Sequence, residues 1–150
     1  MSSMVVTDEQ VAALRAYLVP DLGEAERLNQ HLVTMGGQDG YGHFVYAAFV
    51  EAARNRFSPA WTRADVIRFV ATVRKQTPGG QNIDPHAGEI LIRRALGDHA
   101  ADALDEETRG TVQVILLAEL IAGEQLDGAG LDQFLAAARA QADMLLASRT

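Results

Sequence analysis

Histidine and carboxylate side chains are the first groups in this sequence that could bind a metal ion. His31 and His43 flank a glycine-rich segment, and Glu51 follows His43 by two helical turns. Two imidazoles and one carboxylate form a common zinc ligand set. The sequence contains neither a His-Glu-x-x-His pair nor the carboxylate-x-x-His repeats of helical di-metal proteins. We therefore predict no metal site and no cofactor.

Acid–base or nucleophilic chemistry has few candidate residues. Ser58 is the only serine in the interior of the sequence, and it has no recognisable nucleophile motif. His86 and Glu89 are three residues apart, which is the spacing of ordinary neighbours on a helix surface. Glu119 lies in the most apolar stretch, so we expect it to be deeply buried and paired with an arginine. An enzymatic interpretation would rest on Glu119, but the pattern favours a protein that is not an enzyme.

A glycine-rich segment at 36–42 precedes a predicted helix. The free amides of a helix start can bind an anion such as phosphate. No Lys-Ser or Lys-Thr pair follows the segment, and no strand precedes it. The pattern therefore favours a turn between helices, with Asp39 as the N-cap.

The stretch 105–123 contains the most apolar segment of the chain. Taken alone, Val112 to Leu117 could form a buried strand. Asp105 as N-cap and Gly123 as a left-handed C-terminal residue favour a helix instead. Only Gln113 and Glu119 interrupt its apolar surface, and a helix that is apolar on nearly every side must be covered by other elements. We predict that 105–123 is the central helix of a bundle.

Seven further helices are predicted from apolar spacing and capping residues, at 8–18, 24–35, 41–56, 62–76, 84–96, 98–104 and 131–148. Thr7 to Gln10 has the form of a capping box, and Asp84-Pro85 combines an N-cap with proline at the first helical position. Thr62 with Asp65 is predicted to begin the helix at 62–76, and Gly97 to end the helix at 84–96. No convincing strand pattern is found. The prediction is an all-α, single-domain bundle of seven to eight helices at 7–150, after a flexible N-terminus at 1–6.

Composition excludes several classes of function. The chain has 150 residues, 48% of them hydrophobic, and no cysteine, so disulfides, thiolate metal sites and cysteine nucleophiles are excluded. No signal peptide or membrane span is evident, which predicts a cytoplasmic protein without a membrane partner. The net charge of -7 argues against indiscriminate binding to nucleic acid or anionic lipid.

Positive charge is concentrated in the segment 54–94, which has a local balance of +5 and leaves -12 for the rest of the chain. The predicted partner-binding residues are Arg63, Arg68, Arg74, Lys75, Arg93 and Arg94. Either this segment faces acidic neighbours within the same fold, or it forms a surface for a protein partner or, as a less favoured alternative, nucleic acid. The connection at 77–83 is too long for a helix-turn-helix motif.

Aromatic residues cluster between 41 and 61, where six of the nine aromatic side chains lie. Packing in the core is the simpler interpretation. The alternative is a small-molecule pocket lined by aromatic groups and one carboxylate. Its predicted lining is Tyr41, Phe44, Tyr46, Trp61 and Glu119.

The last predicted helix carries an apolar stripe with heptad spacing. The stripe either packs against the rest of the domain or forms the seam of a two-fold dimer. The predicted seam residues are Leu131, Phe134, Leu135, Ala138 and Leu145.

Together these patterns predict a non-enzymatic, intracellular, homodimeric helical module for protein interaction or regulation. A regulator that binds nucleic acid or an acidic partner through 54–94 is the first alternative. A ligand-binding or enzymatic bundle that uses the aromatic segment 41–61 is the second.

Overall fold

A computed structural model of the chain describes residues 6–18, 41–57, 59–76, 81, 83–98 and 106–147. Within these ranges the chain forms six helices and no strand: α1 (Asp8–Leu18), α2 (Tyr41–Arg56), α3 (Arg63–Gln76), α4 (Pro85–Ala95), α5 (Glu106–Glu124) and α6 (Gly128–Ala147). The predicted all-α class is confirmed. Six helices are fewer than the seven to eight predicted; the predicted helices 24–35 and 98–104 lie outside the described residues, apart from Asp98.

The apolar run Val112 to Leu117 lies within α5, so the helical interpretation is confirmed. The buried residues of α5 are Val112, Gln113, Leu116, Leu117, Leu120 and Ile121, which share one face at helical spacing. On the other side, Val114, Ile115 and Ala118 are only half-buried. No side chain between Val112 and Ile121 is exposed, so the most deeply buried face and its half-buried opposite side are both at least partly covered, and the position of α5 as a central helix stays a prediction.

Side-chain caps begin α1 and α4 as the sequence predicts. In α1, the Thr7 amide donates to Gln10 Oε1 at 3.0 Å, and the Gln10 amide donates to Thr7 Oγ1 at 3.2 Å, which is a reciprocal capping box. Before α4, Asp84 has extended backbone angles and its carboxylate accepts from the His86 amide at 3.2 Å. Pro85 then occupies the first turn, where no amide donor is needed.

Two further acidic residues cap α3 and α6. The Thr62 amide donates to Asp65 Oδ2 at 2.9 Å, and the Asp65 amide donates to Thr62 Oγ1 at 3.3 Å. Before α6, Asp127 Oδ1 accepts from the Gly130 amide at 2.6 Å. This cap lets α6 begin at Gly128 rather than at 131, because glycines are tolerated in a first turn whose amides are bonded to an aspartate.

The C-terminal ends of α4 and α5 were both predicted at a glycine, and only the first prediction is confirmed. α4 ends at Ala95, and Gly97 lies just beyond its C-cap with a φ of +100°. The Gly97 amide donates to the Arg94 carbonyl, and the Asp98 amide donates to the Arg93 carbonyl. This is a Schellman motif. At the end of α5, however, the left-handed residue is Gln125, with a φ of 53°. The helix passes through Gly123 to Glu124, so the predicted end at Gly123 is wrong.

The chain divides into two compact units: unit 1 comprises Met1–Ala48 and Glu124–Thr150, and unit 2 comprises Phe49–Gly123. The division falls within α2 and near the end of α5. The single domain predicted over 7–150 stays a prediction.

Unit 1 packs α1 against α6. Ala13 and Leu14 of α1 are buried, as are Leu135 and Ala138 of α6. Ion pairs reinforce the contact, with Arg15 Nε 2.8 Å from Asp132 Oδ1 and Arg139 NH1 2.6 Å from Asp8 Oδ1. The Val6 amide also donates to Asp143 Oδ1 at 2.8 Å, which fixes the chain just before α1.

Unit 2 packs α3 against α4. Val66, Val70 and Val73 form the buried side of α3. The helices approach closely at Gly88, where an added Cβ would lie 3.0 Å from Val70 Cγ1. A glycine in the middle of α4 is therefore explained by packing rather than by backbone conformation.

No helix among the described residues is long and apolar enough to cross a bilayer. The cytoplasmic location stays a prediction.

Candidate functional site

Two of the predicted partner-binding arginines converge on one buried carboxylate, Glu89. Its side chain is 7% exposed, Arg63 Nε donates to its Oε1, and Arg93 NH1 lies 3.5 Å from the same oxygen. The hydrogen bond from Arg63 lowers the pKa of Glu89 despite the opposing effect of burial, and the charges of Arg63 and Arg93 act in the same direction as the bond. Arg93 also binds Asp98 Oδ2 through its Nε and NH2 atoms, at 2.9 and 2.6 Å. Arg93 is thus part of the internal structure.

Other basic residues of the segment also have internal partners. Arg68 NH2 lies 2.7 Å from Asp65 Oδ1. Hydrogen bonds from Thr62 are the main reason that the pKa of Asp65 is lowered, with Arg68 contributing less. Arg74 Nε donates to the Ile83 carbonyl at 2.9 Å, which ties the end of α3 to the residues before α4.

The remaining members of the predicted set are Arg94, which is half-buried, and Lys75, which is exposed. No carboxylate of the described residues lies within ion-pair distance of Lys75. Neutralisation by acidic neighbours in the same fold therefore accounts for Arg93 fully and for Arg63 and Arg68 in part. The exposed fractions of the Arg63 and Arg68 side chains, 65% and 76%, leave both available at the surface.

The outer face of α3, defined here as Arg63, Ala64, Ile67, Arg68, Ala71 and Lys75, brings three of these cations together. All six residues are exposed. Ala64, Ile67 and Ala71 follow each other at i, i+3 and i+7, so they form one short apolar stripe. Among the described residues, Ile67 is one of four large apolar side chains that are exposed, at 47%. Arg63 borders one edge of the stripe, and Arg68 and Lys75 border the other.

A second feature of unit 2 is an open cleft of about 780 Å³ beside α3. Arg56 and Phe57 at the end of α2, Trp61, Phe69 of α3 and Glu119 of α5 line it. Phe57 and Phe69 meet edge to face, with ring centroids 5.6 Å apart. The guanidinium carbon of Arg56 lies 5.2 Å from the Phe57 centroid and 5.5 Å from that of Phe69, which is a cation–π geometry.

Of the five residues predicted to line a ligand pocket, two lie in this cleft. Trp61 and Glu119 both line the cleft. Phe44 is fully buried, and Tyr46 is half-buried on the part of α2 that belongs to unit 1. The side chain of Tyr41 lies outside the described residues. Glu119 is half-buried, so the expectation that it is deeply buried is wrong: it lies off the buried face of α5.

The stripe predicted as a dimer seam is largely used inside the chain. Leu131, Phe134, Leu135 and Ala138 have exposed fractions between 0% and 8% in the single chain. Only Leu145 is exposed, at 45%. A seam through all five side chains would require unit 1 to open, so the internal-packing interpretation is favoured.

The histidines do not form a metal site in the part of the chain that the structure describes. There, no group of three or more histidine, aspartate and glutamate side chains is arranged to hold an ion. His43 is half-buried and His86 is exposed at the start of α4. His31, Ser58 and the glycine-rich residues 36–40 lie outside the described residues.

Sequence reasoning missed Arg56, Phe69 and Glu89. Arg56 precedes Phe57 in the sequence, and Phe69 lies on the apolar side of α3. No local pattern shows that the side chains of Arg56, Phe57 and Phe69 meet. The sequence spacing places Glu89 beside His86 on a helix surface, whereas its main partner Arg63 lies 26 residues earlier.

In comparisons with known proteins, no family model matches the sequence, and the searches of curated proteins and solved structures found no significant match. The site must therefore be interpreted from its own geometry.

Proposed function

We propose that this protein is a non-enzymatic interaction module that binds an acidic, amphipathic helix of a protein partner on the outer face of α3. The observation that carries the proposal is Ile67, an exposed apolar side chain in a stripe bordered by three cations. Exposed apolar groups within a polar rim are typical of protein-binding surfaces.

The spacing of the stripe indicates what kind of partner fits it. Ala64, Ile67 and Ala71 have the i, i+3, i+7 spacing with which one helix packs along another. The two alanines allow a close approach of backbones, and Ile67 supplies the one large side chain that a partner can enclose. The helix has 14 residues and is roughly 21 Å long, so the contact is small and the affinity expected is in the micromolar range.

The cations at the edges indicate the charge of the partner. Arg63, Arg68 and Lys75 would each face an edge position of a docked helix, where glutamate gives favourable pairs. Arg63 and Arg68 keep further donors for such a carboxylate, because a guanidinium has five N–H groups and each uses only part of them internally. Internal pairing with Glu89 and Asp65 lowers the net positive potential, which disfavours nucleic acid as the partner.

Synthetic helical peptides test the proposal by fluorescence anisotropy. One peptide has leucine at heptad positions a and d and glutamate at e and g; a second has the same composition with the leucines dispersed around the helix. We expect the first to bind at least about tenfold more tightly, because only it offers an apolar stripe. Ile67→Glu should abolish this binding, whereas Arg109→Glu, an exposed site on α5, should reduce it little.

Equal binding of both peptides would contradict the proposal, since charge alone would then explain it. A gel-retardation series with double-stranded DNA provides the other test. Retardation that weakens steeply as salt rises would indicate phosphate contacts and overturn the assignment to a protein partner.

We do not extend the proposal to self-association through α6, because four of the five predicted seam residues are buried in the single chain.

A further inference from the structure

Four charged side chains line the cleft of unit 2, and two of them form an ion pair with each other. Arg68 and Asp65 form an ion pair at 2.7 Å, so each has an opposite charge inside the protein. Two charged groups of the lining remain, Arg56 and Glu119. Within the described ranges, neither lies within ion-pair distance of an opposite charge. The cleft therefore offers one cation and one anion to a ligand.

Arg56 is held in a position suited to an anion. Its guanidinium lies over the rings of Phe57 and Phe69, and the ring faces restrict its motion. An arginine in contact with aromatic faces keeps its N–H edge free, and that edge matches the two oxygens of a carboxylate. Because part of the ordering cost is already met in the free protein, binding a carboxylate here costs less than at a mobile surface arginine.

Glu119 supplies the opposite charge from a different element, α5. It is half-buried and reaches the same cleft as Arg56 and Trp61. A partly desolvated carboxylate attracts a ligand ammonium group more strongly than a fully hydrated carboxylate does. The rings of Phe57, Trp61 and Phe69 provide apolar surface for the ligand.

We propose that this cleft binds a zwitterionic ligand with an apolar side chain, of the class of short peptides and apolar amino acids, with its carboxylate at Arg56 and its ammonium group at Glu119. The volume of about 780 Å³ lies within the range of small-molecule sites and accommodates a peptide of a few residues. This inference does not rest on the proposed binding of a partner helix, because neither Arg56 nor Glu119 belongs to the outer face of α3.

The single tryptophan of the chain, Trp61, reports binding directly through its fluorescence. Four probes separate the two charges: Phe-Gly, its C-terminal amide, its N-acetyl form, and the form blocked at both ends. None contains tryptophan, so the emission comes from the protein. We expect Phe-Gly to bind most tightly and each blocked terminus to weaken binding about fivefold, a charge-assisted hydrogen bond at a partly solvated site.

Conservative variants assign each charge to its residue. Arg56→Gln should bind Phe-Gly and its amide equally, and Glu119→Gln should bind Phe-Gly and its N-acetyl form equally. Arg56→Lys keeps the positive charge but loses the paired N–H donors of the guanidinium, so it should retain only part of the preference for a free carboxylate. Arg109→Gln removes an exposed arginine outside the cleft and should preserve both preferences. Far-ultraviolet circular dichroism checks that each variant remains folded.

Three results would overturn this assignment: no change of Trp61 emission with any probe at millimolar concentration, equal affinities for the four probes, or variants that discriminate as the wild type does. Each of them leaves the helix-binding proposal intact, since that is measured with different probes and with Ile67→Glu.

Discussion

Glu89 shows how one carboxylate is accommodated in the interior of unit 2. Its side chain is 7% exposed, and it receives hydrogen bonds from Arg63 on α3 and Arg93 on α4. A buried charge is tolerated only when it is paired in this way. The pair links the two helices of the α3–α4 contact.

Replacing Glu89 by glutamine should lower the free energy of unfolding. The amide keeps the shape of the carboxylate but loses the charge-assisted bonds, and Arg63 is exposed enough to be rehydrated, so we expect about 1–2 kcal/mol. Urea denaturation measures this loss. Asp132→Asn, which removes an exposed ion pair with Arg15, is the control and should cost less than about 1 kcal/mol. Similar losses in both variants would contradict a special role for Glu89.

The stability difference between wild type and Glu89→Gln should depend on pH. The folded-state pKa of Glu89 is lowered, chiefly by the bond from Arg63. Its contribution is present in full above the unfolded-state pKa of about 4.3 and is lost as pH falls through the lower folded-state pKa. Urea denaturation over an acidic pH series should therefore show the difference shrinking on acidification. A difference that stays constant or grows would contradict the assignment.

At this scale the sequence could not distinguish Glu89 from Glu119. Both lie among apolar residues, and Glu119 sits in the more apolar stretch. Because α5 is apolar on nearly every side, its period does not show which face is buried. Only the fold shows that Arg63 meets Glu89 and that Glu119 reaches a cleft.

The boundaries of individual helices are set largely by the capping residues at their ends. The caps at Thr7, Thr62 and Asp84 and the glycine at 97 were predicted, because their chemistry operates within about four residues of sequence. Where several polar and small residues are adjacent, as at 123–130, local rules did not choose the correct one. There α5 ends at Glu124, just before the left-handed residue Gln125, and α6 begins after Asp127.

Alanine substitutions at two glycines test these helix ends. Gly97 has a φ of +100°, where a Cβ is strained, so Gly97→Ala should destabilise the fold by about 1–2 kcal/mol. Gly123 lies within α5 with no atom near an added Cβ. Gly123→Ala should therefore be neutral or stabilising by up to about 1 kcal/mol. Thermal unfolding compares the two, and a destabilising Gly123→Ala would contradict the end of α5 described above.

At the scale of the whole molecule, charge is distributed so that the acidic chain keeps a cationic face on α3. The sequence predicted the all-α class and the basic segment. It could not predict which arginines are neutralised internally, because that depends on how α3 packs against α4. Likewise, the heptad stripe of α6 indicates a buried face but not whether the chain itself or a second copy covers it.

Light scattering distinguishes these two uses of the α6 stripe. Because Leu131, Phe134, Leu135 and Ala138 are already buried, we expect wild type and Leu145→Glu to have the same molar mass. Leu135→Ala, by contrast, should lower the free energy of unfolding by about 2–4 kcal/mol through loss of core packing. If the wild type is a dimer and Leu145→Glu is a monomer, the interpretation of the α6 stripe as a dimer seam would be supported instead.

The most direct test of the helix-binding account is nuclear magnetic resonance of the isotope-labelled chain titrated with the glutamate-edged peptide. The account predicts that amide shifts concentrate between Arg63 and Lys75 and disappear in Ile67→Glu. Shifts that map to another helix, or that persist unchanged in this variant, would contradict it.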